Sequence, residues 1–290
     1  MGVISFAACA MLAGCAHHPI QSENSNMAIN DRISVKSGHA PVNGISMYYE
    51  IHGDAEGTPL VLLHGGGSTI DSTYGRILPL FARHRKVIAV EEQAHGRTTD
   101  RDQPVRFDTS ADDVAALLGQ LNVDVADIMG FSNGASVALQ VAIRHPARVR
   151  KLVFASSMTK RNGAVPQFWE FIGKGTFADM PQGLKDAFLK VNPDPLKLRA
   201  MHDKDLERMQ HFVETSDADV KAVKAPTLVI VGDRDVATPE HAIELTRLLS
   251  QARLMILPSG HGDYLGEMTV AKKGSRYPEL TAGVIEEFLD

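Results

Sequence analysis

Short apolar runs, closed by glycine or a polar turn and alternating with segments of helical period, narrow the choice of fold more than any other feature of this chain. Residues 45–51 (ISMYYEI), rich in β-branched and aromatic side chains, read as an early strand. The runs at 59–63, 87–90 and 125–129 read as further strands, and those at 149–155, 227–231 and 254–257 as buried ones. Between them, residues 110–121 place Val114, Leu117, Leu118 and Leu121 at helical spacing, and residues 133–144 continue as a helix that stops before Pro146. Short apolar strands separated by helices predict an α/β fold with a mostly parallel central sheet flanked by helices.

The rhythm breaks between residues 157 and 223. That stretch has no convincing strand, yet it holds large apolar side chains, among them Phe168, Trp169, Phe171, Met201 and Phe212. Leu206, Met209 and Val213 are spaced three and four apart, as one helix face requires. Residues 157–223 are therefore expected to form a helical cap, inserted into an α/β core of residues 33–156 and 224–290. A length of 290 residues suits one such domain with an insertion. The net charge of −5 offers no basic surface for nucleic acid, which excludes that class of partner.

Both cysteines, Cys9 and Cys15, fall near the start, so the body holds no thiol nucleophile, cysteine metal cluster or internal disulfide. Residues 3–16 (VISFAACAMLAGCA) form an apolar run too short to span a bilayer but of the length of a signal-peptide core. It ends in Leu12-Ala13-Gly14-Cys15, which resembles the lipobox of bacterial lipoproteins. The resemblance implies cleavage before Cys15, lipidation of its thiol and membrane anchoring in the bacterial cell envelope, facing the periplasm. No Lys or Arg precedes the run, a departure from secretory leaders; without a leader the protein would be cytoplasmic. Residues 16–32 read as a polar linker, in which His17 and His18 are incidental rather than a metal site.

Gly130-Phe131-Ser132-Asn133-Gly134 lies between a predicted strand and a predicted helix. In that setting the chain turns so sharply that the residues flanking the serine must be small, and the Ser132 hydroxyl is lifted above the sheet edge. The helix that follows aims N–H groups and its positive end at charge developing there. A hydroxyl needs a base to act as a nucleophile. His261, in Pro258-Ser259-Gly260-His261-Gly262 just past the last predicted strand, is the candidate. Catalytic groups gather at that C-terminal edge of a parallel sheet. His84, His145, His202 and His211 lie in helical, surface-facing contexts. A carboxylate should orient the imidazole. Asp233 and Asp235 both follow the run at 227–231, and Asp235 is preferred because it lies further along the loop, toward the histidine. The oxyanion donors are expected from the N–H of Asn133 and from His64-Gly65-Gly66-Gly67, with Gly66 preferred over Gly67.

Together these motifs resemble the α/β-hydrolase family, in its cap-bearing esterase, lactonase and peptidase-like branch. The match runs from about residue 33 to 290, with residues 64–67 as the oxyanion loop, 130–134 as the nucleophile elbow, 232–235 as the acid turn and 260–261 as the histidine loop. The resemblance puts the acid at the last position of its turn, Asp235. Residues 91–97 (EEQAHGR) keep the family's Gly-Arg pair but depart at their start, and His95 is expected to pack that loop. The implied activity is hydrolysis of a small carboxylic ester by Ser132, His261 and Asp235 through an acyl-enzyme, with no metal or organic cofactor. A lactonase or an aminopeptidase would use the same triad, the latter needing an acidic cluster such as Glu91, Glu92 and Glu170. A non-catalytic binding protein of this fold typically loses a triad member, and all three are present here. The aromatic and Met-rich cap suggests an apolar or adaptable acyl pocket, with Phe168 and Trp169 equally suited to line it or to pack beneath the cap.

Overall fold

A computed structural model describes residues 33–290. The lipobox with Cys15 and the polar linker lie outside the described residues. Strands β1 (Val35–Val42), β2 (Ile45–His52), β3 (Leu60–Leu63), β4 (Val87–Val90), β5 (Ala126–Phe131), β6 (Val149–Ala155), β7 (Thr227–Gly232) and β8 (Ala252–Leu257) form one sheet in the order β1-β2-β4-β3-β5-β6-β7-β8. The β1–β2 and β2–β4 pairs are antiparallel and all others parallel.

Helices α1 (Ile70–Tyr74) and α2 (Leu78–Phe81) follow β3, and α3 (Phe107–Gln120) and α4 (Asn133–Arg144) flank β5. Between β6 and β7 run α5 (Pro166–Lys174), α6 (Gln182–Val191), α7 (Pro195–Gln210) and α8 (Asp217–Ala222). After β7 come α9 (Pro239–Leu248) and, past β8, α10 (Tyr277–Leu289).

The central strands are apolar at nearly every position because helices cover both faces of the sheet. Successive β3 residues go to opposite sides, as strand geometry requires. Val61 and Leu63 pack with Val114 and Leu117 of α3 and Val137 of α4, whereas Leu60 and Leu62 pack with Phe81 of α2 and Ile285 of α10.

Three features differ from the sequence expectation. Strand β1 was not expected: its residues are largely exposed and include Gly38 and Pro41, so no apolar alternation marks it. Asn43 and Gly44, both at positive φ, close the two-residue hairpin that pairs it with β2. Strand β8 is not a buried run but the opposite edge of the sheet, with Ile256 42% exposed. Helix α7 ends at Gln210, so Val213 does not share a face with Leu206 and Met209; it lies beyond the helix and is 68% exposed.

Candidate active site

Ser132 occupies the turn from β5 into α4 with φ 54° and ψ −122°, a left-handed backbone that a serine adopts only under constraint. The constraint is close packing of main chain. A Cβ at Gly130 would collide with the Gly134 carbonyl, and one at Gly134 with the carbonyls of Leu63 and His64. The Ser132 N–H donates to Ala155 O at 2.9 Å, which ties the elbow to β6.

The loop after β8 carries His261 to this point. Its Nε2 lies 3.1 Å from Ser132 Oγ, and its Nδ1 lies 2.6 Å from Asp235 Oδ1. A carboxylate only accepts, so Nδ1–H donates to Asp235 and Nε2 presents its lone pair to the serine hydroxyl. The imidazole rests against the Phe131 ring, with centroids 4.8 Å apart. Gly262, at φ 87°, must be glycine, since a Cβ there would come within 2.7 Å of Phe131.

The two candidate aspartates separate clearly. Asp233 is exposed, while Asp235 is buried. Asp235 Oδ1 also accepts from the Val236 N–H at 2.7 Å, and Oδ2 accepts from the Gly232 N–H at 3.3 Å and from the Ser156 hydroxyl. Burial raises the Asp235 carboxyl, but His261 and these donors outweigh it and hold the group below its ordinary value. Ser156, itself at φ 53°, receives a further bond from Tyr264, whose OH is 2.5 Å away.

Ser132, Asn133, Gly66 and Gly67 line one cavity of about 200 Å³, walled by Phe168, Phe171, Ile172, Met180, Leu184, Leu206 and Met209. The N–H groups of Gly66 and Asn133 have no acceptor among the described residues. Phe168 is thus a wall of the cavity, whereas Trp169 packs against Phe212 and donates its indole N–H to Arg161 O at 2.6 Å. His202, expected at the surface, also lines the cavity. A larger cavity of about 510 Å³ opens between α3, α4 and the end of α7, but none of Ser132, His261 and Asp235 borders it.

Behind the glycine loop that follows β3 lies a buried charged cluster. Arg208 of α7 donates to Glu92 at 2.9 Å and to Asp205. Asp205 also accepts from Asn133 Nδ2 at 3.3 Å and lies 3.8 Å from His95 Nε2. Burial raises the carboxyls of Glu92 and Asp205, but Arg208 and the neighbouring histidines outweigh it, leaving Asp205 far below the usual carboxylate range. His64 donates from Nδ1 to Gly65 O and accepts the Glu92 N–H at Nε2, so it is neutral. Complete burial, reinforced by His95, pushes it down to about 4. His95 is buried in its loop, with Nδ1 bonded to Gln93 O at 2.9 Å. Glu91 is engaged by Arg97, Glu92 by Arg208, and Glu170 is exposed on α5, so these three carboxylates form no common amine site.

Residues 58–193 match the family model described as alpha/beta hydrolase fold. The chain is 30% identical over 234 residues to AB hydrolase superfamily protein YisY of Bacillus subtilis (strain 168), covering 73% of this chain and 87% of that protein. The chain belongs to the α/β-hydrolase family. It is also 27% identical over 265 residues to 2-hydroxymuconate semialdehyde hydrolase of Pseudomonas sp. (strain CF600), covering 82% of this chain and 90% of the relative. The crystal structure of a hydrolase from Pseudomonas aeruginosa PA01 superposes with a TM-score of 0.66 at 25% identity, covering 90% of this chain and 99% of the other.

In this α/β-hydrolase, Ser132, His261 and Asp235 meet at one sheet edge, beside Gly66 and Asn133. Sequence reasoning missed Ser156, Tyr264 and Asp205. No motif marks a serine at the end of β6, but a carboxylate and an arginine three apart on α7, Asp205 and Arg208, are a legible pair. Among the described residues, no group of three or more His, Cys, Asp or Glu side chains is arranged to hold a metal ion.

Proposed function

We propose that this hydrolase cleaves small carboxylic esters through an acyl-enzyme on Ser132. The observation that carries the reading is the unbroken chain of contacts from Asp235 through His261 to Ser132, at the edge of a cavity also lined by Gly66 and Asn133, whose N–H groups have no acceptor among the described residues. Ser132 Oγ attacks the ester carbonyl as its proton passes to His261 Nε2, and the N–H groups of Asn133 and Gly66 hold the oxyanion. His261 then protonates the leaving alcohol. Water adds to the acyl-enzyme while His261 takes its proton, and collapse returns that proton to Ser132 and releases the acid. Asp235 keeps the imidazole in the tautomer that both steps need.

A panel of p-nitrophenyl esters, lactones and amino-acid anilides tests the reading. Short-chain esters turn over fastest on this account, and turnover of anilides alone contradicts it. The similarity to a 2-hydroxymuconate semialdehyde hydrolase favours a second reading, in which the same serine acts on a compound of that kind. Including that compound in the panel separates the two.

We further propose that Cys15 is the lipidated first residue of the mature chain. Mass spectrometry of protein from the membrane fraction tests this, and a soluble chain that keeps Met1 or Gly2 contradicts it.

A further inference from the structure

Among the described residues that line the cavity holding Ser132, Asp205 is the only full-time charged side chain. It reaches this place from α7, on the helical segment between β6 and β7. Its carboxylate lies against the oxyanion loop, since a Cβ at Gly66 would come within 2.5 Å of Oδ2. Arg208, its partner, does not line the cavity; one Nη is bound to Glu92 and the other to Asp205. Glu92 and Asp205 are thus two carboxylates that share Arg208, with His95 Nε2 3.8 Å from Asp205, and the carboxylate that lines the cavity is Asp205. An incoming group therefore meets a fixed negative charge in an otherwise largely apolar chamber.

We propose that Asp205 sets the charge selectivity of the acyl pocket, admitting neutral acyl groups and turning away those that end in a carboxylate. A substrate carboxylate would lose its water in this chamber and would face Asp205 with no lysine or arginine among the described lining residues to meet it. Two like charges about 5 Å apart at an effective dielectric near 20 differ from a neutral contact by about a hundredfold in binding. The role as an acyl pocket rests on the ester-hydrolase reading, so the test uses binding rather than turnover.

Boronic acids add reversibly to a nucleophilic serine, and two of similar length differ in the end group. Calorimetry would compare pentaneboronic acid with 4-boronobutanoic acid, on the wild type and on Asp205→Asn. The substitution keeps the side-chain shape and leaves Glu92 and Arg208 as a balanced pair. The wild type is expected to bind the neutral compound about a hundredfold more tightly, and Asp205→Asn to narrow the gap by about tenfold or more. An apolar chamber alone would produce a gap, but not its narrowing. Equal affinities in the wild type overturn the proposal even if the variant does not fold. So does a gap unchanged in the variant, or binding of neither compound. If methyl butyrate goes unhydrolysed while the gap and its narrowing are both seen, the ester reading fails and the assignment of Asp205 stands.

Discussion

The Ser156 hydroxyl donates to Oδ2 of Asp235, while Oδ1 of the same carboxylate faces His261 Nδ1 at 2.6 Å. Ser156 has one proton and gives it to an acceptor-only partner, so Tyr264 must donate to Ser156. Three buried groups, Tyr264, Ser156 and Asp235, therefore stand in line behind the imidazole.

Removing the first donor should be read in kcat. Ser156→Ala is expected to lower kcat by about tenfold, the worth of one charge-assisted hydrogen bond, with KM changed by less than about twofold. Because Ser156 sits at positive φ, Ser156→Gly should be more stable than Ser156→Ala yet lose the same activity. Steady-state kinetics beside thermal melts checks both. Equal kcat in wild type and Ser156→Gly would show that the hydroxyl has no part in the reaction.

The two neighbouring aspartates should behave oppositely. Asp235→Asn presents the imidazole with an amide that no longer fixes the tautomer, and kcat should fall by about a thousandfold or more. Asp233 is exposed, and Asp233→Asn should stay within about twofold of wild type. Measured kcat values for the pair decide the matter, and a large loss in the Asp233 variant would reassign the acid.

His64 should make the fold acid-sensitive. Its folded pKa of about 4 lies below the ordinary 6.5. Between those values the unfolded chain takes up a proton that the folded chain refuses, so stability falls as pH drops through 6.5 toward 4. At pH 5 this amounts to about 2 kcal/mol. His64→Gln should start about 1 kcal/mol less stable at pH 7, through weakened hydrogen bonding, yet lose less between pH 7 and pH 5. Urea unfolding at the two pH values tests this, with identical losses in both proteins as the contrary result.

Much of the core was legible in the sequence because its signals are local. The elbow glycines, the strand-like run before Ser132 and the helix after it lie within about twenty residues, and β3, β4 and most of β7 are continuous apolar runs. Strand β1 escaped because an edge strand owes the core little, although Asn43-Gly44 marked its hairpin. Val213 misled because spacing alone cannot say where α7 stops. Ser156 and Tyr264 were silent for another reason. Each acquires its part only through a neighbour at least 79 residues away, and no periodicity records that.

The central claim is that His261 activates the hydroxyl of Ser132. Labelling with a fluorophosphonate, followed by peptide mapping, tests it most directly. The account predicts one modified peptide, carrying the adduct on Ser132, no label in Ser132→Ala, and labelling of His261→Gln slowed by about a hundredfold or more. An adduct on another residue, or labelling as fast in His261→Gln as in wild type, would contradict it.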